Sequence, residues 1–164
     1  MQGSEKDVDI DYFRAEYCGR NMGVPVEFLA YENRPYWTFE QALSCSILHG
    51  ILPRPNNIEH PLELMSDVWK IFDIFPISQS IWCPYHKNSA KSDNQKIKIS
   101  YYKYTAIDGS VMLLAFITNI SSLPITATVG FDEAVSDAFD CIKKEATDLT
   151  LDFGPYDYKI LLLK

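Results

Sequence analysis

The hydrophobic period of the chain changes at one polar stretch, Lys87-Asn88-Ser89-Ala90-Lys91-Ser92-Asp93-Asn94-Gln95. Ahead of it, apolar residues recur mainly at helical spacing. Beyond it they alternate or run together, as strands do. Neither a helical bundle nor one uniform sheet fits both halves. The pattern predicts an α+β chain of two units, residues 1–88 and 89–164.

In the first unit, Asp11 to Cys18 predicts a short helix stopped by Gly19. Val24 to Tyr31 is rich in β-formers and predicts a strand, with Pro25 tolerable near its start. Thr38-Phe39-Glu40-Gln41 has the form of a capping box, the hydroxyl meeting a first-turn N–H while Gln41 reaches back. Leu43, Ile47 and Leu48 then form an apolar stripe, and Gly50 closes the helix. Ile51 to Pro55 is too short and proline-bound for anything but a brief extended piece. Pro61 suits a first helical position. After it Leu62, Met65, Val68, Trp69, Phe72 and Phe75 keep helical spacing up to Pro76, which places Trp69 and Phe72 in the expected core. The order strand, helix, strand, helix makes two β/α repeats. Two strands alone cannot bury both helices.

In the second unit Lys96 to Tyr104 and Val111 to Thr118 flank Asp108-Gly109, a strong hairpin signal. Val111 to Ile117 is apolar on both faces and so predicts a central strand. Ile125 to Phe131 alternates, while Ala138 to Ala146 fits either a helix or a strand entering a turn. Leu149 to Phe153 and Asp157 to Leu163 complete about six strands, dense enough to predict an antiparallel β-sandwich.

A formal charge of −7 and a pI near 4.9 oppose nucleic-acid binding, which needs clustered Lys and Arg. The alternating Lys and Tyr of residues 98–104 do not outweigh that total. No run approaches the roughly 20 apolar residues of a membrane span. Met1 to Asp11 contains no signal-like apolar stretch, so the chain reads as cytoplasmic as given, or exported if cut from a longer parent. Cys18, Cys45, Cys83 and Cys141 form no C-x-x-C pair, and buried free thiols are the expected state.

Candidate chemistry is sparse. Glu32 would follow the carboxyl end of the first strand, where active sites of β/α barrels collect, and Arg54 would follow the second strand at the matching position. A glycosidase needs a second carboxylate about 5 to 10 Å away, which nothing here supplies convincingly. Tyr31, Trp37, Trp82 and Tyr85 offer aromatic planes for sugar rings, although such residues at a seam are more often core. His49, His60 and His86 lack metal-ligand spacing, and His49 reads as a packing or cap-region histidine. Ser44-Cys45-Ser46 lies inside a helix without a nucleophile elbow. No catalytic residue, metal ligand or cofactor is predicted.

The stretches Gly23 to Glu32, Trp37 to Leu43, Leu48 to Pro55 and Trp69 to Phe72 resemble the end of a glycoside-hydrolase-type barrel, of the kind found in bacterial glycoside-hydrolase-like proteins. The remainder, closing in Phe153-Gly154-Pro155-Tyr156-Asp157-Tyr158-Lys159-Ile160-Leu161, is similar to the β-sandwich that commonly follows such barrels. A barrel has eight units and this chain about two. The resemblance therefore implies a non-catalytic C-terminal region or truncated member: a partial-barrel-like β/α segment followed by a β-sandwich. Its role would be interdomain packing against a parent barrel, or self-association as a homodimer. The alternatives are a carbohydrate-binding module taking an oligosaccharide on Trp37, Trp82 and Tyr85, or a glycosidase site with Glu32 and Arg54 completed by another chain.

Overall fold

A computed structural model describes residues 10–17, 28–31, 39–51, 53–56 and 61–164. In the first half, helices α1 (Ile10–Tyr17), α2 (Phe39–Leu48) and α3 (Pro61–Ile74) alternate with strands β1 (Phe28–Tyr31) and β2 (Pro53–Asn56). β1 and β2 pair in parallel, from Phe28 opposite Pro53 to Tyr31 opposite Asn56, with α2 as their crossover. What the described residues show there is one parallel pair, not a barrel wall. The segment 24–27 and Thr38 of the capping box lie outside them.

A 3-10 turn (Ile77–Gln79) leads into β3 (Ile81–Cys83), β4 (Lys91–Ser92), β5 (Ile97–Thr105) and β6 (Val111–Asn119). Then come β7 (Ile125–Gly130), β8 (Ala138–Asp140), β9 (Glu145–Ala146), β10 (Thr150–Phe153) and β11 (Tyr158–Leu163). They form a six-stranded antiparallel sheet, β3-β5-β6-β11-β8-β9, and a three-stranded one, β10-β7-β4. Val111 to Ile117 is central as expected, flanked by β5 and β11, with Leu113 to Asn119 buried. The ambiguous segment 138–146 is strand, turn, strand. Buried Asp140 accepts the N–H groups of Ile142 (2.9 Å) and Lys143 (3.0 Å), a local competitor that favours a turn over a helix.

The polar stretch is not the edge of the sheet. β3 precedes it and pairs with β5, so residues 1–88 supply one edge strand, and Lys91–Ser92 within it pair with β7.

Residue parity assigns the layers, because successive side chains of a strand point to opposite faces. Odd-numbered Ile99, Leu113, Ala115, Ile117 and Leu161 of the large sheet pack on Ala127, Val129, Leu151 and Phe153 of the small one. That interface is sandwich-like. On the small sheet's outer face Thr126 donates to Asp152 at 2.6 Å and Thr128 meets Thr150 at 3.0 Å. Even-numbered Tyr102, Leu114, Phe116 and Ile160 face the other way and receive the helices. The molecule is thus small sheet, large sheet, helices.

The surface missing from a two-strand sheet is supplied by the large one. α2 packs on β1 and β2 and also on β5 and β6, and Ala42 to His49 are all buried. A helix enclosed this way needs no polar face, and small Ala42, Ser44, Cys45 and Ser46 allow close approach. Ser46 donates back to the Ala42 carbonyl. From the sheet, Ser100 Oγ donates to the Leu48 carbonyl (2.7 Å) and Thr118 Oγ1 to that of Ser44 (3.3 Å).

α3 lies on the same face. Met65, Val68 and Phe75 are buried, and Phe72 stacks on Phe116 with centroids 5.7 Å apart and planes 18° apart. Trp69 does not join them: it is 49% exposed, correcting the expected core stripe. Met65, Val68, Phe72 and Phe75 form one narrow stripe, and Trp69 lies about 100° round the helix from Val68. Phe72→Ala should therefore lower stability by about 2–4 kcal/mol in urea unfolding. Trp69→Ala should change it by less than about 1 kcal/mol; equal losses would contradict this packing.

Candidate functional site at the helix–sheet seam

Glu32 and Trp37 lie outside the described residues. Tyr31 and Arg54 are placed by their backbone: Tyr31 ends β1 opposite Asn56, and Arg54 stands opposite Leu29. The position matching the end of β1 is thus Asn56 rather than Arg54, because β2 continues through Pro55. Prolines at 53 and 55 are tolerable in a strand that, among the described residues, has a partner on one side: they share a side and remove donors from it alone.

Trp82 and Tyr85 sit in the seam, both half-buried. The Trp82 ring lies 4.6 Å from Tyr102 at 45° and 6.1 Å from Phe116. It also covers Gly50, the residue that ends α2 with φ +72°, where an added Cβ would stand 3.1 Å from the ring. Tyr85 is held at both ends. Its N–H donates to Ser100 Oγ at 2.8 Å, the hydroxyl that itself donates to Leu48. Its ring meets His49 edge-on at 5.4 Å and carries the Arg14 guanidinium 5.9 Å from its centroid. These rings tilt against interior partners instead of sharing an open plane.

Around Tyr85 gathers a cluster of ionisable groups that sequence reading does not assemble, because its members come from α1, the residue just after α2 and the segment after β3. Asp11 pairs with Arg14 at 3.2 Å, and Arg14 Nη1 donates to the Tyr85 hydroxyl at 3.5 Å. His49 Nδ1 stands 2.7 Å from the Cys45 carbonyl, four residues back, which fixes the proton on that nitrogen. Phe13 covers the imidazole at 4.8 Å, and buried Nε2 has no hydrogen-bond partner of good geometry among the described residues. His49 is a packing histidine just past the end of α2, as expected.

Burial lowers the pKa of His49 below its ordinary 6.5; the Cys45 and Ile10 carbonyls oppose this, and the charges of Arg14 and His86 add to it. Burial raises Tyr85, against the opposing Arg14 charge. Burial, then Arg14 and Lys87, lower the exposed His86. The cluster therefore holds a neutral imidazole and a protonated phenol beside a guanidinium. With the imidazole buried against Phe13 and Tyr85, its chemistry is that of an ionisable clasp joining α1 and the end of α2 to the sheet.

Cys45, Cys83 and Cys141 are free thiols; Cys18 lies outside the described residues. Burial pushes Cys141 up to about 11. Among the described residues no group of three or more His, Cys, Asp or Glu could hold a metal ion, and no helix is long and apolar enough to cross a membrane.

Because His49 is harder to protonate folded than unfolded, the unfolded chain binds the proton first as pH falls below 6.5. Its contribution is complete above that pH and lost toward the lowered folded value. Urea unfolding at pH 7.5 and 5.5 should show lower stability at the acid value, and His49→Gln should flatten the difference; an unchanged slope would sink the assignment. Gly50→Ala should cost about 1–2 kcal/mol from the left-handed backbone alone, measured by thermal and urea unfolding. No protein-family model, curated protein or solved structure matches this chain.

Proposed function

We propose that the chain is a non-catalytic module of a glycoside-hydrolase-like, carbohydrate-active protein, acting by packing against a β/α barrel or a second copy of itself. The β1–β2 pair carries this reading. Parallel sheets are normally larger than two strands and covered on both faces, yet among the described residues these strands pair only with each other. Pro53 and Pro55 blunt one side of β2, whereas no proline interrupts Phe28–Tyr31. β1 is therefore the strand equipped to accept a neighbour. The resemblance of the flanking segments to the end of a barrel supplies the class of that neighbour.

The sugar-binding reading is weaker, since Trp82 and Tyr85 engage Tyr102, Gly50 and His49. A glycosidase site completed by another chain loses its proposed pairing, with Arg54 opposite Leu29 instead of at the strand end.

Light scattering on the purified chain, with a thermal-shift screen of oligosaccharides, tests the proposal. A dimer or larger species indifferent to sugars is expected. A monomer whose melting temperature rises with one particular sugar would overturn it and put the Trp82–Tyr85 surface first.

A further inference from the structure

A groove of about 480 Å³ runs between the second half of α3 and the large sheet, apart from both the β1–β2 pair and the seam cluster. Its floor is Met112 and Leu114 of β6 and Leu162 of β11, and Ile71 of α3 with Phe75 just beyond the helix forms one wall. Phe139 and Cys141 line the opposite side. Ile74, 84% exposed, and Phe139, 41% exposed, leave apolar surface at its margins. The volume falls within the roughly 300–1,000 Å³ of small-molecule sites, which are likewise mostly apolar with a few polar groups.

The charged groups on the groove are not random. Lys70, Lys144 and Lys164 line it with one carboxylate, Asp67, in a chain whose net charge is −7. Lys70 and Lys144 converge on that carboxylate, at 3.3 and 3.8 Å, so two ammonium groups share a single anion at the Asp67 end. An apolar trough ending in surplus positive charge complements a molecule with an apolar tail and an anionic head.

We propose that this groove binds a fatty-acid carboxylate. The acyl chain lies over Met112, Leu114 and Leu162, and the head is held by Lys70 and Lys144.

Calorimetric titration of the full chain with saturated fatty acids of increasing length, kept below their micelle concentrations, tests this. Saturable one-to-one binding is expected, tightening about two- to fourfold per added methylene until the groove is filled. Dodecyltrimethylammonium should bind at least about tenfold more weakly than dodecanoate. The double variant Lys70→Glu/Lys144→Glu should weaken dodecanoate about tenfold. Both lysines are exposed, so melting temperature should hold. Ile74→Glu, at the exposed margin, should also weaken it. No saturable binding, equal binding of the cationic amphiphile, or no effect of the lysine variant would overturn the proposal. So would binding of an acidic amphipathic peptide without binding of dodecanoate, which would make the groove a protein-docking surface. Solution mass reads the β1 edge separately, so failure of either proposal is recognisable by itself.

Discussion

Enclosure of α2 is the constraint on which the rest of the structure depends. A helix buried from Ala42 to His49 must satisfy its terminal carbonyls without solvent. His49 Nδ1 meets the Cys45 carbonyl, and the N–H groups of His49, Gly50 and Ile51 take those of Ser46 and Ile47. The large sheet supplies the last, Ser100 donating to Leu48, while Thr118 reaches the Ser44 carbonyl one turn earlier. Ser100 also receives the Tyr85 N–H. One side chain thereby ties together the helix end, the central part of β5 and the segment after β3. Removing such a group would leave a buried carbonyl and a partly buried N–H unpaired, which is costlier than losing an exposed hydrogen bond.

The central strands make this arrangement possible because they are two-faced. β6 and β11 send odd residues into the sandwich-like layer and even residues toward the helices. A register slip of one residue would exchange the two sets. Hydrophobic burial on both faces therefore pins the same pairing twice.

Much of this was legible in the chain. Both faces of Val111 to Ile117 are apolar, and that strand is central; Ile125 to Gly130 alternates, and it packs one face. Asp108-Gly109 makes the expected turn, Gly109 having φ +86° and Asp108 accepting the Ser110 N–H at 2.9 Å. The candidate site is less legible. Trp82 and Tyr85 are conspicuous in the sequence, whereas no motif singles out Arg14 or Ser100. Nothing local marks a residue whose partners lie 71 and 52 positions away. Arg54 falls inside β2, not after it, because β2 runs on through Pro55 to Asn56, and a strand paired on one side among the described residues does not need the missing donors there.

Local physics alone determined the helix and strand periods, the stops at Gly50 and Gly109, and the acidic balance that disfavours phosphate ligands. These depend on backbone conformation and on pattern within a few residues. Tertiary structure decided which face of α3 is covered, leaving Trp69 outside, and which groups share the seam around His49. It also brought three lysines to one apolar groove. Those outcomes depend on how far the large sheet extends under each helix, and that extent is set by pairings among strands distant in the chain.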